Sequence, residues 1–228
     1  MTLDTLGIGH SYQHRMLHEL NLPDQDVLDY NMAKHVAVKL GIDDIITSHY
    51  VLTRRYMVND LFDAQTLNLI HSLRPSIITV NTISNDLAHL SHVDPASVTA
   101  LAARAFEFVD AAGAPLTVFN ACLPRTQNIS SSPDVFRQNA LKYNQVMHEF
   151  CTPSNVTHYT YFNPISGFVN HEIQVLDPEK GVYYKQQAPL PVSYWSNDGI
   201  HISEPAYFTK YLKRYAFGMI KKVGLLYN

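Results

Sequence analysis

Ser11 near one end of the chain and Asp198 and His201 near the other are the residue types that acyl transfer by a serine nucleophile requires. A serine hydroxyl is a weak nucleophile at its own pKa and needs a neighbouring imidazole to take its proton during attack. His201 is the candidate base. Asp198 stands three residues earlier in Asp198-Gly199-Ile200-His201, where it could accept the imidazole Nδ1–H, hold the tautomer and stabilise the imidazolium. Midway along the chain, Ser84-Asn85-Asp86 supplies an amide. Asn85 could donate to an oxyanion, and loss of one such donor typically costs about 3 kcal/mol of transition-state stabilisation.

Each of these residues also has a plainer reading. Ser11 follows an apolar run and could be the N-cap of a helix over residues 12–20. Asn85 could be an ordinary turn residue, and Asp198 could start a turn before Gly199. What favours chemistry is the order of the elements that carry them.

Short apolar runs alternate with longer amphipathic stretches, a pattern that predicts a parallel sheet covered by helices on both faces. Strands are expected at residues 3–9, 77–80, 116–119 and 156–161, with the second strand of the chain in either 26–35 or 45–52. Helices are expected over 12–20, 61–73, 95–112, 133–150 and 204–223; the third opens with Pro95 and is rich in alanine. Residues 162–197 show little periodicity, and a stretch of that length is usually functional or carries small irregular elements. No repeat or low-complexity segment divides the chain, so residues 1–228 read as one domain.

In an open parallel sheet the ligand crevice lies beyond the C-terminal ends of the strands. Ser11 follows the first strand, Asn85 follows 77–80, and Asp198 and His201 follow the last, so the three blocks share one edge. Arg125, after the 116–119 strand, lies on that edge and could hold a substrate carboxylate or phosphate, or form a structural salt bridge. Arg54-Arg55 carries the same ambiguity, and Arg55 is grouped with Asn85 and Arg125 on the oxyanion and substrate side of the site.

Composition narrows the alternatives. The 228 residues are 46% apolar and 16% charged with a net charge of -3, which gives no basic footprint for nucleic acid. No apolar run approaches the ~20 residues of a membrane helix and no leader pattern opens the chain, so a soluble, cytoplasmic protein is expected. Cys122 and Cys151 match no metal spacing and read as buried thiols. His10, His14 and His18 recur every four residues, yet without a zincin pattern they read as turn and surface residues. His89 and His92 read as solvent-facing. The expected partner is a small ester or acetylated molecule, with no metal and no cofactor; oligomeric state is left open.

These blocks resemble the SGNH (GDSL-type) hydrolases. Gly9-His10-Ser11 looks like that family's nucleophile block, Ser84-Asn85-Asp86 like its G-x-N-D block and Asp198-Gly199-Ile200-His201 like its D-x-x-H block. The order and spacing are similar over nearly the whole chain. Residues 6–15, Leu123-Pro124-Arg125, Tyr143-Asn144 and 198–203 bring it nearest to invertebrate SGNH-type esterase domains. The resemblance implies a three-layer α/β/α sandwich with a flavodoxin-like, five-stranded parallel sheet. It also implies metal-free hydrolysis of esters or acetyl groups by Ser11, Asn85, Asp198 and His201.

Three glycines of the family pattern are replaced. None lies between Gly41 and Gly113, so Arg54 or Arg55 stands near the place of the oxyanion-hole glycine, while Ile83 and Ala206 occupy two others. A non-glycine residue resists positive φ and its side chain could crowd the pocket. His10 replaces a usual aspartate at a position that shapes the turn. The alternative to an esterase is therefore a weakened or inactive binding module on the same scaffold.

Overall fold

The computed structural model describes residues 3–9, 27–28, 46–52, 56–123, 125–152, 159–162, 171–177 and 182–188. Its sheet has the order β2-β3-β1-β4-β5-β6, with β1 at Leu3–Gly9, β2 at Val27–Leu28, β3 at Ile46–Leu52, β4 at Ile77–Asn81, β5 at Leu116–Asn120 and β6 at Tyr159–Phe162. The pairs β1–β3, β1–β4, β4–β5 and β5–β6 are parallel, and β2 is antiparallel on the β3 edge. Both candidate segments for the second strand thus contribute, 45–52 a full strand and 26–35 a two-residue edge.

All five residues of β4 and all five of β5 are buried, as expected of parallel strands covered on both faces. Leu6, Ile8, Ile78, Val80 and Phe119 face one layer of the core. There they join Ala102, Ala105 and Phe108 of helix α3, Pro95–Ala112, and Phe136, Ala140 and Tyr143 of helix α4, Pro133–Phe150. The alternate residues Thr5, Ile77, Thr79, Leu116 and Val118 are buried too, so the opposite face is also shielded from water. The helices expected over 12–20 and 204–223 lie outside the described residues.

Capping chemistry sets the helix limits. Asp94 accepts the Ser97 N–H at 3.0 Å before Pro95 opens α3, and Gly113 closes it at φ +59. That left-handed geometry suits a residue without a Cβ. Ser132 caps α4 through the Val135 N–H at 3.3 Å.

The single helix expected over 61–73 is interrupted. A 3₁₀ turn covers Val58–Phe62 and helix α1 covers Ala64–Leu73, with Asp63 between them in extended geometry. Its carboxylate accepts the Thr66 N–H at 2.8 Å, so the side chain starts a new helix instead of prolonging the first.

Residues 162–197 depart from the irregular stretch expected there. Strands β7, His171–Asp177, and β8, Val182–Ala188, pair antiparallel as a separate hairpin. The signal was the brief alternation Glu172-Ile173-Gln174-Val175, too polar to register as an apolar run. Among the described residues no helix is long and apolar enough to cross a membrane.

Candidate active site

Parallel pairing aligns the strand ends. Gly9 is in register with Asn81, Val80 with Phe119, and Asn120 with Phe162, which brings the C-terminal ends of β1, β4, β5 and β6 to one edge. Ser11 follows Gly9 by two residues in the chain. Ser11 itself, together with Arg55, Asp198 and His201, lies outside the described residues.

Asn85 is the second residue of helix α2, Ser84–Ala88, which begins three residues beyond β4. This single turn is held by the Leu87 N–H to the Ile83 carbonyl at 3.1 Å and by the His89 N–H to the Asp86 carbonyl at 3.2 Å. The Asn85 side chain is half-buried and meets Arg125, whose Nη2 donates to Asn85 Oδ1. Arg125 is only 5% exposed. Asn85 and Arg125, two of the three residues grouped on the oxyanion and substrate side, are thus brought together.

The chain from β5 to Arg125 runs through the buried residues Ala121, Cys122 and Leu123. Asn144 of α4 holds this segment: its Oδ1 accepts the Cys122 N–H at 2.8 Å and its Nδ2 donates to the Cys122 carbonyl at 3.2 Å. In the sequence, Asn144 stands out only through the resemblance of Tyr143-Asn144. The independent signal was an amide placed beside a buried tyrosine on an otherwise amphipathic helix.

Asp86 likewise stands out in the sequence only as part of Ser84-Asn85-Asp86. It is buried, and its Oδ2 accepts the Val58 N–H at 3.0 Å, tying the turn after β4 to the 3₁₀ segment. Burial raises its pKa to about 6, against the backbone hydrogen bonds from Val58 and from its own amide, while the charge of Asp60 adds to the rise.

Cys122 is buried as expected, whereas Cys151 is half-buried. Burial pushes the Cys122 thiol up to about 12 despite the nearby Arg125 charge, so it stays protonated and is no nucleophile at neutral pH. His89 and His92 are both exposed, in keeping with a solvent-facing role.

No family model matches the sequence, and no curated protein does. Solved structures do match. A mutant acetyl esterase with acetate ion superposes at TM-score 0.55 and 9% identity, over 97% of this chain and 99% of that one. A GDSL-like lipase from Bacteroides thetaiotaomicron VPI-5482 gives 0.55 and 11%, over 96% and 88%. A carbohydrate esterase family 3 protein from Talaromyces cellulolyticus gives 0.57 and 9%, over 97% and 98%. The narrower likeness to invertebrate domains finds no support among these structures. The suspected resemblance to SGNH (GDSL-type) hydrolases is borne out at the level of the fold, which this chain shares with a GDSL-like lipase and with acetyl and carbohydrate esterases.

Proposed function

We propose that this chain is a single-domain serine hydrolase, an esterase or deacetylase acting on an ester or acetylated small molecule or carbohydrate. Ser11 Oγ attacks the acyl carbonyl as its proton passes to His201, oriented by Asp198. The new Oγ–C bond converts the carbonyl oxygen to an oxyanion that the Asn85 amide stabilises. His201 then gives the proton to the departing oxygen or nitrogen as its bond to the acyl carbon breaks. Water, deprotonated by the same imidazole, releases the acid and restores Ser11. Arg55 is read on the substrate side of the oxyanion.

The observation that carries this reading is the fixed amide of Asn85 just beyond β4, in register beside the strand that leads to Ser11. The shared fold adds support, since the matched structures include an acetyl esterase and a carbohydrate esterase over nearly the whole chain. Within the reading, the sheet is the five-stranded parallel core of a three-layer α/β/α sandwich, and the hairpin β7–β8 belongs to the same domain.

The test is hydrolysis of p-nitrophenyl esters in a chain-length series, comparing wild type with Ser11→Ala, together with phosphonate labelling. Ser11→Ala is expected to lower kcat by at least about 10³-fold, and the label to appear on Ser11. Folded protein that neither hydrolyses these esters nor takes the label would leave the scaffold as a binding module and overturn the reading.

A further inference from the structure

We infer that Arg125 is a positioning residue that orients and polarises the Asn85 amide for the oxyanion; this rests on the role of Asn85 proposed above. A guanidinium carries five donors and no acceptor. The contact from Arg125 Nη2 can therefore be made only to the amide oxygen, which leaves Asn85 Nδ2, the donating end, for a partner elsewhere. A flipped amide would oppose donor to donor. The oxyanion needs the donating end, so Arg125 selects the productive orientation.

The same contact changes the strength of the donor. A cation hydrogen-bonded to an amide oxygen draws charge from the nitrogen, and its N–H groups become better donors to a developing negative charge. That gain grows with the charge on the substrate oxygen, and so acts on the transition state more than on the ground state.

Burial excludes the simpler role. At 5% exposure Arg125 cannot serve as a ready clamp for a substrate carboxylate or phosphate, whereas its half-buried partner Asn85 is nearer to solvent. The guanidinium is in turn placed by the segment that Asn144 pins at both backbone groups of Cys122. Asn144 thus holds the backbone at Cys122, three residues before the Arg125 that meets the Asn85 amide.

The experiment measures kcat and KM for a neutral p-nitrophenyl ester in Arg125→Lys, Arg125→Gln, Arg125→Ala and Asn85→Ala, and in the double variants. Arg125→Ala is expected to lower kcat about 10–10²-fold with KM changed less than about threefold. Arg125→Lys, which keeps a charged donor, should recover much of that loss. In the Asn85→Ala background the Arg125 substitutions should cost little more, because the two residues act through one donor.

Equal losses in both backgrounds, or a rise in KM alone, would overturn the inference, as would unimpaired kcat in folded Arg125→Gln. Should Arg125→Ala fail to fold, the Lys and Gln variants carry the comparison, with thermal melts showing that they are native. The Ser11→Ala control separates the two ideas: hydrolysis that survives it refutes the proposed reaction, whereas Ser11-dependent hydrolysis indifferent to Arg125 refutes only the positioning role.

Discussion

Asn144 Oδ1 accepts the Cys122 N–H at 2.8 Å while Asn144 Nδ2 donates back to the carbonyl of the same residue at 3.2 Å. One side chain thus replaces the neighbouring strand that the backbone loses beyond β5. Cys122 is 2% exposed, so water is a poor substitute for either bond. Asn144→Ala should therefore destabilise the protein by about 2–4 kcal/mol, since a buried backbone group left without a partner costs about 1–3 kcal/mol. Asn144→Asp should fall between the two, because it keeps the acceptor for the N–H and sets a carboxylate against the carbonyl. Urea unfolding of the three proteins gives the order.

Asp86 should make stability depend on pH in an unusual direction for a carboxylate. Its folded pKa of about 6 lies above the ordinary 3.8, so the folded state binds the proton more tightly than the unfolded chain does. Its contribution is fully present below about pH 4 and is lost as pH rises through about 6, an effect of about 3 kcal/mol. Asp86→Asn removes that titration, and its amide oxygen can still accept the Val58 N–H. The stability of Asp86→Asn relative to wild type should rise between pH 4 and 7 and then level off. A flat difference in urea melts across that range would refute the raised pKa.

The contrast between what could and could not be read from the sequence follows from distance along the chain. Residues 77–80, 95–112 and 133–150 were legible because burial, proline openings and caps are written within a few neighbouring residues. The break at Asp63 was hidden because its apolar neighbours keep helical spacing on either side. The contacts of Arg125 with Asn85, 40 residues apart, and of Asn144 with Cys122, 22 apart, exist only after the sheet has formed. Composition carries no trace of such pairs. The sequence could place Arg125 after β5, but its contact with the Asn85 amide and its burial belong to the folded sheet.

Asp63 joins two helical segments that share no hydrogen-bond ladder. It accepts the Thr66 N–H through its side chain, and its own N–H donates to the Asp60 carbonyl at 3.4 Å. Asp63→Ala keeps the backbone bond and loses the cap, so a loss of about 1 kcal/mol is expected. Asp63→Ser should recover most of it. A thermal-melt series of the two variants would detect this, and equal stability for Ala and Ser would show that the cap contributes nothing.

Strand β5 carries, near its two ends, two polar side chains whose buried atoms find no hydrogen-bond partner among the described residues: Thr117 Oγ1, at 0% exposure, and both amide atoms of Asn120, at 3%. The two occupy opposite faces of the strand, three residues apart. Thr117 lies on the face shared with Phe119, packed under α3 and α4, where nothing requires a hydroxyl. Thr117→Val keeps the shape, removes the unpaired oxygen, and should raise stability by about 1 kcal/mol. Asn120 is different because it stands at the strand end, in register with Phe162 and next in sequence to the segment that leads to Arg125. Asn120→Leu should stabilise by a similar amount, whereas Asn120→Asp should destabilise by more than about 2 kcal/mol, because it buries a charge without a partner. If Thr117→Val is stabilising and Asn120→Leu is not, the Asn120 amide is paired in solution, and the cost of burying it is met at the C-terminal edge of the sheet.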